Sequence, residues 1–264
     1  MRGVDYLYKL DPFDDKRSSG FVHSGIIYVG TSHGKVLGLD AKSGSLEFSI
    51  MSDAQAPIRA TPLVHNGKLY YGDWNGKVYG YDLENNTQLW QQSTYEVKPY
   101  ATFGGIASEF VEHQGKLFFG ARNPMLKVLR TEDGQADWSY NDPEGGWLIG
   151  DPVIMRDTLY IGGSDNFSML AFQASNGKLL WKNKRTKNIY GKPIVSKDWI
   201  IYSTGNAYNP KDKGEIVMLD RKTGESITEY EVPSNAFASA VLTKDELVIF
   251  GSTDGTLYSL RIKR

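Results

Sequence analysis

The sequence predicts an all-β chain, a six-bladed β-propeller of four-stranded antiparallel blades. Three observations carry that prediction. A strand-like run recurs six times at near-constant spacing, no segment shows helical periodicity, and the two ends of the chain complement each other.

The recurrent run is Ile27-Tyr28-Val29-Gly30, echoed by Leu69 to Gly72, Leu117 to Gly120, Leu159 to Gly162, Ile200 to Ser203 and Val248 to Gly251. Counted from Gly30, the steps are 42, 48, 42, 41 and 48 residues. Units of that length made of strands and turns are propeller blades rather than helical solenoid repeats. Most copies continue into a second short strand, as in Val36 to Asp40, Val78 to Asp82, Met169 to Gln173 and Ile216 to Asp220. Between the two strands lie turn formers such as Asp73-Trp74-Asn75-Gly76 and Thr253-Asp254-Gly255, where Gly or Asn supplies positive φ. A further turn follows, and four residues beyond it stands Phe48, Trp90, Trp138, Trp181 or Thr228. Large aromatics thus end four of these five copies.

The last copy stops after Leu257 to Leu260 and lacks an outer strand, whereas Tyr6 to Leu10 forms an orphan strand at the other end. Tyr8 lies 19 residues before Ile27, as Trp181 lies 19 before Ile200. The N-terminal strand is therefore expected to complete the C-terminal blade, removing an exposed edge and making residues 1–264 one domain.

The units "LDAKSGSLEF", "YDLENNTQLW", "FQASNGKLLW" and "LDRKTGESIT" resemble the PQQ-like, quinoprotein-type β-propeller repeat, in its BamB-like non-enzymatic branch. In that repeat an A-x-D-x-x-T-G-x-x-x-W element docks a tryptophan between neighbouring blades. The resemblance covers essentially the whole chain and implies the fold; it does not choose an activity, because one fold hosts many functions. Quinone-dependent dehydrogenases of the family are larger eight-bladed rings, often with a cysteine disulfide and a calcium ion. This chain has six copies and no cysteine, so no cofactor is expected.

Composition narrows the classes further. Lys plus Arg total 30 against 31 Asp plus Glu, a formal net charge of -1, which provides no global basic field for nucleic acid. No apolar run is long enough for a transmembrane helix, and no signal peptide is read before the first strand. The resemblance to the BamB branch implies a periplasmic or outer-membrane-associated location, with the cytoplasm as the alternative.

Three longer connections, Gln91 to Gly105, Asn141 to Ile149 and Gly205 to Gly214, are expected on one face of the ring, where binding usually resides. Aligning the innermost strands on Pro62, Pro152 and Pro193 gives a level of small residues, Ser18, Ala60, Ser108, Gly150, Gly191 and Ser239, suited to tight packing. The neighbouring levels carry Glu109, Asp151 and Lys192 on three successive blades, Arg17 and Arg59 on two others, and Tyr190. Around them the loops offer Trp74, Tyr100, Phe103, Trp147, Tyr208 and Phe237, with Arg122 and Asp165 in hairpin turns. Aromatics with arginine around a concavity make a protein or ligand hot spot. The plainer alternative is that Lys192 neutralises Asp151 and Glu109 and the aromatics cap blade ends.

Catalytic templates are incomplete. The chain has no G-x-S-x-G elbow, P-loop, H-E-x-x-H or cysteine nucleophile. His23, His65 and His113 hold one repeat position on different blades and do not converge on one metal. Asp73 to Gly76 shares part of a calcium-loop pattern but lacks its downstream glutamate, so a hairpin turn is expected there. These residues point to a non-enzymatic scaffold for a protein partner, with no catalytic residue and no metal site. The alternative is a propeller that binds a small molecule or carbohydrate, extending to a lyase or hydrolase built on Glu109 and Asp151.

Overall fold

The computed structural model describes residues 18–53, 55–94 and 104–262, and every regular element among them is a β-strand. The first sheet is β1 (Phe21–His23), β2 (Ile26–Gly30), β3 (Lys35–Asp40) and β4 (Leu46–Met51). The second is β5 (Leu63–His65), β6 (Lys68–Gly72), β7 (Lys77–Asp82) and β8 (Thr87–Ser93). The third is β9 (Val111–His113), β10 (Lys116–Phe118), β11 (Met125–Arg130) and β12 (Ala136–Asn141). The fourth is β13 (Val153–Met155), β14 (Thr158–Gly162), β15 (Ser168–Gln173) and β16 (Leu179–Lys184). The fifth is β17 (Ile194–Val195), β18 (Trp199–Thr204), β19 (Gly214–Asp220) and β20 (Ser226–Val232). The sixth has three strands, β21 (Val241–Leu242), β22 (Leu247–Gly251) and β23 (Leu257–Arg261).

Strands in each sheet follow chain order, because short turns can join only antiparallel neighbours. Six such meanders are the blades of a six-bladed β-propeller. The expected N-terminal strand, with Tyr8, lies outside the described residues. By backbone proximity the chain divides into two compact units, residues 1–122 with 128–136, and residues 123–127 with 137–264.

Within each unit the core lies between consecutive sheets. In the first unit, Tyr28, Val36 and Ile58 pack with Leu69, Tyr71 and Tyr79, while Tyr70, Val78 and Trp90 pack with Leu117, Phe119 and Leu129. In the second, Tyr160, Met169 and Trp181 meet Ile200, Val217 and Leu219, and Ile201 and Ile216 meet Val248 and Phe250. Apolar residues stand on both faces of the middle strands, which explains their continuous rather than alternating hydrophobicity.

The spaced tryptophans have one structural job. Trp90 Nε1 donates to the Thr131 carbonyl at 3.1 Å, Trp138 Nε1 to Ala174 at 2.9 Å, and Trp181 Nε1 to Arg221 at 3.1 Å. Each carbonyl belongs to the next repeat. The indoles lie on the turn glycines Gly134, Gly177 and Gly224, where an added Cβ would come within 2.5, 2.5 and 2.6 Å of ring carbons. Those glycines also sit at φ of 70, 75 and 73°. The glycine that recurs four residues before the aromatic position, occupied by Thr228 in the case of Gly224, thus receives the preceding repeat's indole. A one-residue bulge recurs at the same level too, after Gly38, Gly80, Ala171 and Met218, with the extra residue, Glu47, Leu89, Leu180 or Ile227, in the outer strand of the sheet.

Candidate functional site

Arg59, Trp74 and Arg122 come together in the first unit. Trp74 occupies the tight turn between β6 and β7, and the buried Asp73 beside it organises that turn. Asp73 Oδ1 accepts from the backbone N–H of Asn75 at 2.9 Å and of Lys77 at 3.0 Å, and its Oδ2 accepts from the Tyr79 hydroxyl at 2.9 Å. Burial raises the Asp73 pKa above the ordinary carboxylate range, opposed by those hydrogen bonds. The expected hairpin turn is therefore present, with both carboxylate oxygens engaged inside it.

Trp74 is anchored by its own backbone. Its N–H donates to the Pro57 carbonyl at 2.8 Å, and a Cβ on Gly105 would meet the indole at 3.0 Å. Over that indole the Arg59 guanidinium carbon stands 3.8 Å from the ring centroid, with that of Arg122 at 5.1 Å. Both fall within cation–π range, which favours a guanidinium over an indole face. Arg59 is exposed and Arg122 half-buried, so the cluster sets two guanidinium groups on one indole face.

A second cluster lies in the second unit, around the loop of residues 205–213. Buried Asn188 and Asn235 clamp this loop. Asn188 Oδ1 accepts from Ala207 N–H at 2.8 Å, Asn235 Oδ1 accepts from Asn206 N–H at 2.6 Å, and Asn235 Nδ2 donates to the Asn209 carbonyl at 3.0 Å. The loop holds Tyr208 outward, 71% exposed, with its hydroxyl donating to Asp165. Tyr190 and Phe237 meet at 5.6 Å with ring planes 59° apart, and Phe237 lies over Gly205. The hydroxyls of Tyr190 and Ser164 share a hydrogen bond of 3.0 Å.

Glu109, Trp147, Asp151 and Lys192 are half-buried. Trp147 is tied by its carbonyl, which accepts from Ser164 N–H at 2.8 Å, and Asp151 N–H donates to the Tyr190 carbonyl at 3.2 Å. Lys192 N–H donates to Ser239 Oγ at 2.9 Å. Gly150 and Gly191 fit the reading of a packed small-residue level, since a Cβ on either would come within 2.7 and 3.0 Å of backbone atoms. Arg17, Tyr100 and Phe103 lie outside the described residues.

Sequence reasoning passed over the clamps Asn188 and Asn235, and over a buried carboxylate in the Asn141–Ile149 connection. Asp142, with a fully buried side chain, accepts from Asn166 Nδ2 at 2.7 Å and from Lys182 Nζ at 3.1 Å, and Lys182 also reaches Glu144 at 2.8 Å. These ties make the connection a built element. The signal available in sequence was polar residues in loops, which does not distinguish a clamp from a solvated side chain.

Sheets, docked tryptophans and loop clusters together define the class: a β-propeller of PQQ-like repeats. The chain belongs to the family described as outer membrane protein assembly factor BamB, whose model matches residues 10–230. A curated BamB from Shewanella oneidensis is 30% identical over 244 residues, covering 88% of this chain and 57% of the relative. The chain spans 41% of the length of the Kangiella koreensis relative and 27% of the Burkholderia pseudomallei one. Among solved structures, BamB from Moraxella catarrhalis superposes with a TM-score of 0.69 at 18% identity, over 95% of this chain and 78% of that one. A quinohemoprotein alcohol dehydrogenase from Pseudomonas putida HK5 superposes with a TM-score of 0.73 at 16% identity, over 93% and 52%. Likeness at those identities concerns the fold alone. Among the described residues no three His, Cys, Asp or Glu side chains converge as a metal cluster.

Proposed function

We propose that this chain is a non-enzymatic scaffolding propeller that binds a protein partner in outer-membrane protein assembly, at the periplasmic side of a bacterial envelope. The observation that carries the reading is the indole of Trp74, fixed by its backbone and stacked under Arg59 and Arg122. Tryptophan and arginine are the residues most enriched in binding hot spots, and a rigid anchor loses little entropy on association. Family membership supports the same reading, since the relatives are named for assembly at the outer membrane.

The test is a pull-down from envelope extract with wild type, Trp74→Ala and Arg59→Ala/Arg122→Ala proteins, each first checked for native thermal unfolding. A protein retained by wild type and lost by both folded variants supports the scaffold; equal retention by all three refutes the cluster as its site.

A second reading is favoured by Tyr190, Phe237 and Tyr208, which present aromatic surface beside the hydroxyl of Ser164 and the carboxylate of Asp165. Apolar rings beside hydrogen-bonding groups suit a sugar or another small polar ligand. A glycan array probed with wild type and Tyr190→Ala tests it: binding by wild type alone supports this site, and no binding by either removes it.

A further inference from the structure

Three inter-sheet spaces in this molecule are filled by indoles, and a fourth is built like them without one. In the filled cases Trp90 faces Gly80 across the sheet and Trp181 faces Ala171, so a small residue on the middle strand leaves room for the ring. In the fifth sheet the same pair is Met218 and Thr228. The receiving side is conserved in geometry. Thr131, Ala174 and Arg221, whose carbonyls accept the indole N–H groups, each donate their own N–H to the turn before the second strand of their sheet, at Gly115, Asp157 and Asp198. Ile262 repeats this with Glu246 at 3.2 Å, which puts the Ile262 carbonyl at the acceptor position.

The exchange of tryptophan for threonine is not made good by its partner. Met218 reclaims part of the space, and a cavity of about 450 Å³ remains. Its walls are Ile201, Ile216, Met218, Val248, Leu260 and Ile262, with Thr228 beside them. Ile201, Met218 and Thr228 stand where Tyr160, Ala171 and Trp181 stand in the fourth sheet, and Val248 and Leu260 stand where Ile200 and Leu219 pack against Trp181 in the fifth. Among the described residues the lining carries two charged side chains: Glu229, paired with Arg185 at 2.7 Å, and Arg261, which donates to the Asp245 carbonyl at 3.3 Å.

We propose that this cavity is a binding site for a small planar apolar ring carrying one N–H donor, the indole class, with the ring against the isoleucines and Met218 and the N–H on the Ile262 carbonyl. The size lies in the range of small-molecule pockets, about 300–1,000 Å³, and such pockets are lined mainly by apolar side chains with a few placed polar groups. The proposal stands apart from the scaffold reading, which concerns other loops.

The test is a thermal-shift titration of the full chain with indole, with indene as the ring of the same shape lacking the N–H. Indole at tenfold excess over its Kd is expected to raise Tm by roughly 3–5 °C, and indene to bind about fivefold more weakly. The double variant Met218→Ala/Thr228→Trp, which rebuilds the fourth sheet's pair, is expected to melt higher than wild type and to lose the indole response. Should that variant not fold, Thr228→Phe fills part of the same space and is expected to reduce the response severalfold. The proposal is overturned if indole leaves wild-type Tm unchanged, if the filled variants respond as wild type does, or if the folded double variant melts lower than wild type, which would mean that the space is occupied within the chain.

Discussion

The second and fifth sheets share strand order, register and the bulge in the fourth strand, yet they seal against their successors differently. In the second, Gly80 lies under Trp90, the indole reaches the Thr131 carbonyl, and Gly134 receives the ring. In the fifth, Met218 faces Thr228 and a cavity stands where the ring would lie. The sheets also differ in charge. Arg185 and Lys187 bind Glu215, both at 3.0 Å, at the top of the fifth sheet, whereas the second sheet places Lys77 opposite Ser93 at the corresponding level. The comparison teaches that hydrogen-bonded ladders and turns are sufficient to form a blade, while the docked indole adds packing energy between blades.

The largest expected effect is at that indole. Trp90→Ala or Trp181→Ala should lower unfolding free energy by about 3–5 kcal/mol, read from the urea midpoint, because each removes a buried ring and its N–H bond together. Thr228→Ala should cost less than about 1 kcal/mol; an equal loss at the two positions would break the comparison. Next comes the receiving turn: Gly134→Ala adds a Cβ 2.5 Å from the Trp90 ring at φ of 70°, and should cost about 1–3 kcal/mol by the same measurement.

Smaller effects separate the two loops. Trp74 is packed on Gly105 and Tyr208 is 71% exposed, so Trp74→Ala should lower stability by about 1–2 kcal/mol and Tyr208→Ala by no more than about 0.5 kcal/mol. Partner-binding losses at Tyr208 would then be free of any folding effect. The smallest expected difference is electrostatic. Burial pushes the Glu215 pKa up, but its bonds from Lys187 and Arg185 outweigh that and hold it below the usual glutamate range. A depressed carboxylate pKa stabilises the folded state above its unfolded value, about 4.3, and that contribution is lost as pH falls through the folded pKa. The Tm gap between wild type and Glu215→Gln should therefore be present at neutral pH and shrink progressively below about pH 4.3; a gap independent of pH would assign Glu215 a packing role.

Much of this architecture was legible before any coordinates. Period, turn residues and apolar runs located most of the strands because β geometry imposes its own local pattern: Ile27 to Gly30 and Leu159 to Gly162 each fall within an observed strand. Trp74 and Arg59 were legible as candidates because aromatic and arginine side chains in loops are unusual. Their stacking was not, since it depends on a residue of the β4–β5 connection and one of the β6–β7 turn, 15 residues apart. The clamps of the 205–213 loop were invisible for the same reason: Asn188 and Asn235 look like ordinary loop polars until burial leaves their amides only backbone partners.

By itself the sequence determined the repeat, the strand pairs within each blade and the regular placing of the aromatics, because these depend on residues close together along the chain. Only the tertiary structure decided which carbonyl each indole reaches, which glycine it covers and whether the space beside Thr228 is filled. Those partners lie about 40 residues away and belong to the next repeat, and volume between packed sheets is a property of two blades together, which neither blade's sequence carries alone.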